Sequence, residues 1–87
     1  MYVLIVYDVA VERVGKAHKC LKRFLHWRQN SVFEGELTAA QIETVKNDLH
    51  KIIDEKADSV LIYIARDERW LKRESLGKEK NSTGNLL

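Results

Sequence analysis

One acidic residue, Asp8, stands where a carboxylate could do chemistry. It directly follows the apolar run of residues 2–7 and shares its side of the predicted strand with Leu4 and Val6. A carboxylate among apolar neighbours is costly unless it is hydrogen-bonded or paired with a cation. Two interpretations are therefore open. Asp8 caps the turn into the next helix, or it binds a divalent cation such as Mg²⁺, which prefers carboxylate oxygens.

The other potentially reactive side chains form no motif that predicts catalysis or metal binding. His18, His26 and His50 are far apart in the sequence, which favours surface or helix-end roles. Cys20 is the single cysteine, so it cannot form an internal disulfide, and its place beside an apolar helix stripe predicts packing. Ser31 has no histidine or lysine at a spacing that would activate it.

A basic stretch follows Asp8 in the sequence. Residues 11–28 contain six Lys and Arg against one acidic residue, whereas residues 34–58 contain seven acidic residues against three lysines. The first stretch is predicted to form one electropositive helix face, suited to nucleic-acid phosphates or to an acidic protein. An ordinary solvated helix face is the alternative. The basic residues in question are Arg13, Lys16, Lys19, Lys22 and Arg23.

The elements that must position these residues follow from hydrophobic periodicity. Residues 2–7 and 59–65 read as strands, and apolar residues at a period near 3.6 predict a helix from Val14 and a second one from Ile42. Thr38 and Gln41 have the spacing of a capping box that opens the second helix. Between the helices we expect extended segments at 28–34 and 35–37, with a turn or bulge at Gly35.

This order of elements predicts an α+β ferredoxin-like βαββαβ sandwich, with two helices on one face of an antiparallel sheet. A chain of 87 residues makes one domain, which we place at residues 1–77. A short strand is possible at residues 71–76. Residues 78–87 form a polar tail whose terminal leucines could dock on a partner subunit. The longest apolar run is much shorter than a spanning helix, so we expect no membrane association.

Both alternating sets of residues in the first and last strands are apolar. Two helices can cover only one of these sets, and soluble proteins seldom leave a large apolar face open. A homodimer through the other sheet face would cover it, as would the C-terminal segment of the same chain. If a dimer axis passes near the strand end, two copies of Asp8 would share a proton or a divalent cation.

Three stretches together resemble the small CRISPR-associated adaptation proteins of the Cas2 family. They are Tyr7-Asp8-Val9, the segment Gln29-Asn30-Ser31-Val32-Phe33-Glu34-Gly35-Glu36-Leu37, and the strand at residues 59–63. The resemblance implies a ferredoxin-like homodimer in the prokaryotic cytoplasm that partners the Cas1 integrase in spacer acquisition. It also implies a Mg²⁺-dependent endonuclease acting on single-stranded RNA or double-stranded DNA. Other members of the family resemble a non-catalytic bridge that holds DNA between integrase dimers.

The resemblance also implies roles for individual residues. Asp8 matches the family's metal-binding aspartate, with Tyr7 beside it as a catalytic candidate. Ser31 and Phe33 match residues that line the dimer cleft and are further catalytic candidates beside Asp8 and Tyr7. Arg13 matches a basic position early in the first helix. A third possibility is a toxin-like or regulatory dimer of the same fold, whose basic helix binds protein instead of nucleic acid.

Overall fold

The alternation of side chains along the first strand decides which sheet face the helices cover. In the computed structural model, which describes residues 1–78, Val3, Ile5 and Tyr7 point toward the helices and are buried. Leu4 and Val6 point to the other face and are half-buried. We call that second face the open face, because no helix packs on it. The elements are β1 (Tyr2–Asp8), α1 (Val11–Lys22), β2 (His26–Gln29), β3 (Val32–Glu36), α2 (Ala39–Ile52) and β4 (Ser59–Ala65), followed by a 3₁₀ turn at Glu68–Trp70.

These strands form one antiparallel sheet in the order β2-β3-β1-β4, as expected for a ferredoxin-like fold. Strand β1 is central and pairs with both β3 and β4, so its last residue, Asp8, lies opposite Ser59. The core between sheet and helices contains Phe33 and Leu21, both with 0% exposure. Within residues 1–78, neither helix combines the length and hydrophobicity that crossing a bilayer requires.

The second helix begins as the sequence predicts. The Gln41 backbone N–H donates to Thr38 Oγ1 at 3.1 Å, and the Thr38 N–H donates to Gln41 Oε1 at 2.9 Å, which completes a capping box. Ile42, Val45 and Leu49 are buried. The first helix differs from prediction: it begins at Val11, earlier than its apolar stripe indicated, and its N-cap position carries no side-chain cap.

The predicted turn at Gly35 is wrong. The chain turns at Asn30 and Ser31, where Asn30 adopts a left-handed φ of 43° that asparagine tolerates better than most residues. Gly35 lies inside β3 and is buried. A Cβ atom at this position would come within 3.1 Å of Leu25 Cδ2, so glycine permits close packing of the chain against β3.

The possible short strand at residues 71–76 is not formed in the single chain. This segment has no sheet pairing, and its residues Leu71 to Ser75 line a depression on the open face together with Leu4 and Val32. Because the segment crosses a face instead of lying beside an edge strand, its backbone has no neighbouring strand to pair with. The predicted tail at 78–87 lies outside the described residues, apart from Lys78.

Candidate functional site

Asp8 stands exposed at the end of β1, on the same side of the sheet as Leu4 and Val6. Within residues 1–78 its carboxylate makes no hydrogen bond and no ion pair. The capping interpretation is wrong, since the N-cap of α1 is Ala10 and receives no side-chain cap. The structure therefore presents a carboxylate with both oxygens available for a ligand.

One chain supplies only part of a metal site. The described residues contain no cluster of three or more His, Cys, Asp or Glu that could hold an ion. Asp8 fits a hard, hydrated cation such as Mg²⁺, which keeps several water ligands and is commonly bound through one or two carboxylates. Among residues 1–78, the neighbour of Asp8 in the sheet is Ser59, which supplies no second carboxylate.

The apolar part of the open face borders this carboxylate on one side. Leu61 and Tyr63 on β4 share its side of the sheet, and each is 55% exposed. Leu61 lies opposite Val6, and Tyr63 lies opposite Leu4. The predicted uncovered apolar face is thus present at Leu61 and Tyr63 of β4, while residues 71–75 of the same chain lie against the part near Leu4 and Glu34.

Tyr7 and Phe33 lie on the other side of the sheet from Asp8. Their rings stack with centroids 6.2 Å apart, and Phe33 also contacts the His18 ring edge-on at 5.1 Å. Burial raises the pKa of Tyr7, against the opposing effect of a hydrogen bond with Ser31. Within the single chain, the 0% exposure of Phe33 places its side chain in the core.

Ser31 lies in the turn between β2 and β3 and is half-buried. Its carbonyl oxygen accepts a hydrogen bond from the Tyr7 backbone N–H at 3.1 Å. The structure therefore brings together three of the four predicted catalytic residues, Tyr7, Ser31 and Phe33. The rings of Tyr7 and Phe33 lie on the sheet face opposite the Asp8 side chain.

Arg13 is held by an acidic residue that the sequence analysis did not single out. Its Nε donates to Asp58 Oδ2 at 2.6 Å and its Nη2 donates to Asp58 Oδ1 at 3.0 Å. The Asp58 side chain is fully buried and also accepts hydrogen bonds from the backbone N–H groups of Ala10 and Asp54, both at 2.9 Å. These hydrogen bonds, foremost the one from Arg13, hold the pKa of Asp58 far below its ordinary value.

A second buried carboxylate, Glu34, lies on the open face. Its Oε2 accepts from the Tyr2 hydroxyl at 2.7 Å and from Arg73 Nη2 at 2.9 Å, and its Oε1 is 3.2 Å from Arg28 Nε. Burial alone would raise the pKa of Glu34, but the hydrogen bonds from Arg73 and Tyr2 and the nearby positive charges outweigh it and lower the pKa. The sequence signal that could have identified Glu34 is an acidic residue directly after Val32 and Phe33 in an extended segment.

The basic residues of α1 divide into two groups. Lys16, Lys19 and Lys22 are exposed and make no ion pair with any residue in the described part of the chain. Arg23 donates to Asp48 on α2 at 3.2 Å and lies over the Phe24 ring at 5.3 Å. The uncompensated positive charge of this face therefore resides in the three lysines.

Comparison with known proteins identifies the family. A family model described as "CRISPR associated protein Cas2" matches residues 1–73. The chain is 57% identical over 87 residues to a Pyrococcus furiosus protein described as "CRISPR-associated endoribonuclease Cas2", covering 100% of both. A solved structure titled "Crystal structure of cas2" is 51% identical, with a TM-score of 0.85 over 92% of this chain and 90% of that one. Streptococcus pyogenes Cas2 is 36% identical, with a TM-score of 0.79 over 88% of this chain and 100% of that one. The chain therefore belongs to the Cas2 family of CRISPR-associated proteins.

Proposed function

We propose that this protein is a metal-dependent endonuclease of CRISPR adaptation, working as a homodimer with one Asp8 contributed by each chain. The observation that carries the proposal is the exposed Asp8 carboxylate, which has no partner among residues 1–78 and borders an apolar sheet face. The endoribonuclease name given to its relatives supports hydrolysis of RNA phosphodiesters.

Pairing of two open faces follows from their chemistry. Burying Leu61 and Tyr63 against a second copy removes apolar surface from water, at roughly 25 cal/mol per Å². A two-fold axis near the ends of the β1 strands would bring the two Asp8 residues toward each other. Two carboxylates repel one another at short range, and a divalent cation or a shared proton relieves that repulsion.

The chain's own residues then have simple roles. Asp8 would hold Mg²⁺, which in such a site activates water and stabilises charge on a phosphodiester during hydrolysis. Tyr7, buried on the opposite side of the sheet, fixes the end of β1 by packing on Phe33. Ser31 supports the same strand end through its backbone carbonyl.

The test compares the wild-type protein with Asp8→Ala on labelled single-stranded RNA and on duplex DNA, with Mg²⁺ and with chelator. We expect cleavage only by the wild-type dimer in Mg²⁺, and the preferred nucleic acid identifies the substrate. The variant should elute at the same size as the wild-type protein. Equal cleavage by both proteins would reject the proposal and indicate a contaminating nuclease.

A second candidate function, a non-catalytic bridge that holds a DNA duplex in a complex with the Cas1 integrase, is favoured by a different observation. Lys16, Lys19 and Lys22 are exposed on α1 without ion pairs among the described residues. Unpaired lysines on one helix can bind phosphates without reading sequence. In that case Asp8→Ala would bind duplex DNA and Cas1 as the wild-type protein does, and neither protein would cleave.

A further inference from the structure

We propose that Asp58 is a positioning residue, which together with Arg13 fixes the direction in which the chain leaves β1 after Asp8. This inference rests on the proposed function, since it concerns the carboxylate to which that function assigns the metal. It gives Arg13 a role within the chain instead of at a nucleic-acid surface.

Asp58 connects the turn between α2 and β4 to the start of α1, which lies 45 to 48 positions earlier in the sequence. It lies immediately before β4 and binds Arg13 of α1, the Ala10 backbone in the β1–α1 connection, and the Asp54 backbone after α2. The side chain is fully buried, and four hydrogen bonds reach its two oxygens. A buried carboxylate that is satisfied in this way has one orientation, so the groups that bind it are also fixed.

Asp8 lies between two backbone positions that Asp58 holds in place, Ser59 in the neighbouring strand and Ala10 after β1. On one side, Asp8 pairs in the sheet with Ser59, which directly follows Asp58. On the other side, Ala10, two residues after Asp8, donates its backbone N–H to Asp58 Oδ1 at 2.9 Å. The strand end therefore cannot turn toward or away from the open face without breaking these contacts.

The same arrangement explains how α1 begins without a side-chain cap. Ala10 occupies the N-cap position and has no polar side chain, so the helix lacks the usual local acceptor. Asp58, 48 positions away, instead accepts a hydrogen bond from the backbone N–H of Ala10 itself, and its negative charge suits the positive end of the helix dipole. The start of α1 and the short connection between Asp8 and α1 thus depend on the long-range contact with Asp58.

The experiment compares Asp58→Asn with the wild-type protein in two measurements. Without metal, hydrogen exchange of the Ala10 amide should become about tenfold faster in the variant, because its N–H loses the carboxylate that it binds. With metal, Mn²⁺ affinity measured by calorimetry should fall about tenfold, as is typical when a residue that orients a metal ligand is removed. Arg13→Lys keeps one charged donor, so its amide exchange rate and its Mn²⁺ affinity should lie between those of the wild-type protein and Asp58→Asn.

Glu34→Gln is the matched control. It also removes the charge of a buried carboxylate bound to arginine, but Glu34 pairs with Leu4, well inside β1. We expect it to lower stability while leaving Mn²⁺ affinity and Ala10 exchange unchanged. If Asp58→Asn has the amide exchange rate and the Mn²⁺ affinity of the wild-type protein, the positioning role is wrong. It is also wrong if Glu34→Gln changes both measurements as much as Asp58→Asn does. If Asp8→Asn retains Mn²⁺ affinity, the proposed metal site fails, and the positioning role is decided by amide exchange alone.

Discussion

Tyr7 and Asp8 are neighbours in the chain, yet their side chains lie on opposite faces of the sheet. Tyr7 is buried at 4% exposure among the residues that face the helices, whereas Asp8 is exposed at the end of the strand. Tyr7 and Asp8 are adjacent in the sequence, which suggests one catalytic unit, but the two side chains therefore have different roles. Tyr7 contributes to the core, and Asp8 alone is available to a metal or a substrate.

Substitutions on the two sheet faces should have different effects on the free energy of unfolding. Asp8→Asn is expected to change the free energy of unfolding by no more than about 0.5 kcal/mol, because the side chain is exposed and has no partner among residues 1–78. Phe33→Ala should cost about 3–5 kcal/mol, since it empties a fully buried site. Urea denaturation of both variants measures these values. Large destabilisation by Asp8→Asn would show that this carboxylate has a structural role.

The open face should determine the oligomeric state. Leu61→Arg combined with Tyr63→Arg places charges on the apolar face and should convert a dimer into a monomer, because charged side chains cannot be buried there unpaired. Ile64→Arg is the matched control, as Ile64 is 53% exposed but faces the other side of β4. Light scattering after size exclusion gives the mass. A dimer that survives the double substitution, or is lost with Ile64→Arg, would contradict this interface.

The three unpaired lysines should account for the salt dependence of DNA binding. Replacing Lys16, Lys19 and Lys22 with alanine should lower the slope of log affinity against log salt by about 2 to 3 for duplex DNA, if each contacts one phosphate. The control replaces Lys46, Lys51 and Lys56, which removes the same charge from α2 and the following turn. Fluorescence anisotropy between roughly 50 and 200 mM salt measures the slope. Equal slopes for the two triple variants would reject the α1 surface.

Acid should weaken the contacts of Glu34. The folded-state pKa of Glu34 lies below its ordinary value, so its stabilising contribution is complete above about pH 4.3 and is lost as the pH falls through the folded-state pKa. The stability difference between the wild-type protein and Glu34→Gln should therefore narrow as the pH falls below about 4.3 and through the folded-state pKa. Urea denaturation at several pH values measures it, with Glu43→Gln, an exposed carboxylate on α2, as control. A difference that stays constant with pH would exclude this contribution.

Local patterns were sufficient to predict the order of the elements and the start of α2. The capping box at Thr38 depends on residues three positions apart, and the apolar stripe of α2 depends on helical spacing alone. The orientation of β1 could not be predicted in the same way. Because both alternating sets of its residues are apolar, the pattern did not reveal that Tyr7 faces the helices.

The residues that were missed are those with distant partners. Arg13 and Asp58 are separated by 45 positions, and Glu34 and Arg73 by 39, so no local spacing indicated that these charges meet. Because its partner is not visible in the local sequence, Arg13 was interpreted as part of a phosphate-binding surface together with the other basic residues near it. The turn was placed at Gly35 because glycine is the usual signal, while the left-handed residue is Asn30.

The most direct test of a metal shared between two chains is the stoichiometry of Mn²⁺ binding to the purified protein, measured by isothermal titration calorimetry. We expect one ion for every two chains, with binding lost in Asp8→Asn and in the monomer produced by the double substitution of Leu61 and Tyr63 with arginine. One ion for each chain, with affinity unchanged in both variants, would show that Asp8 does not form a shared site.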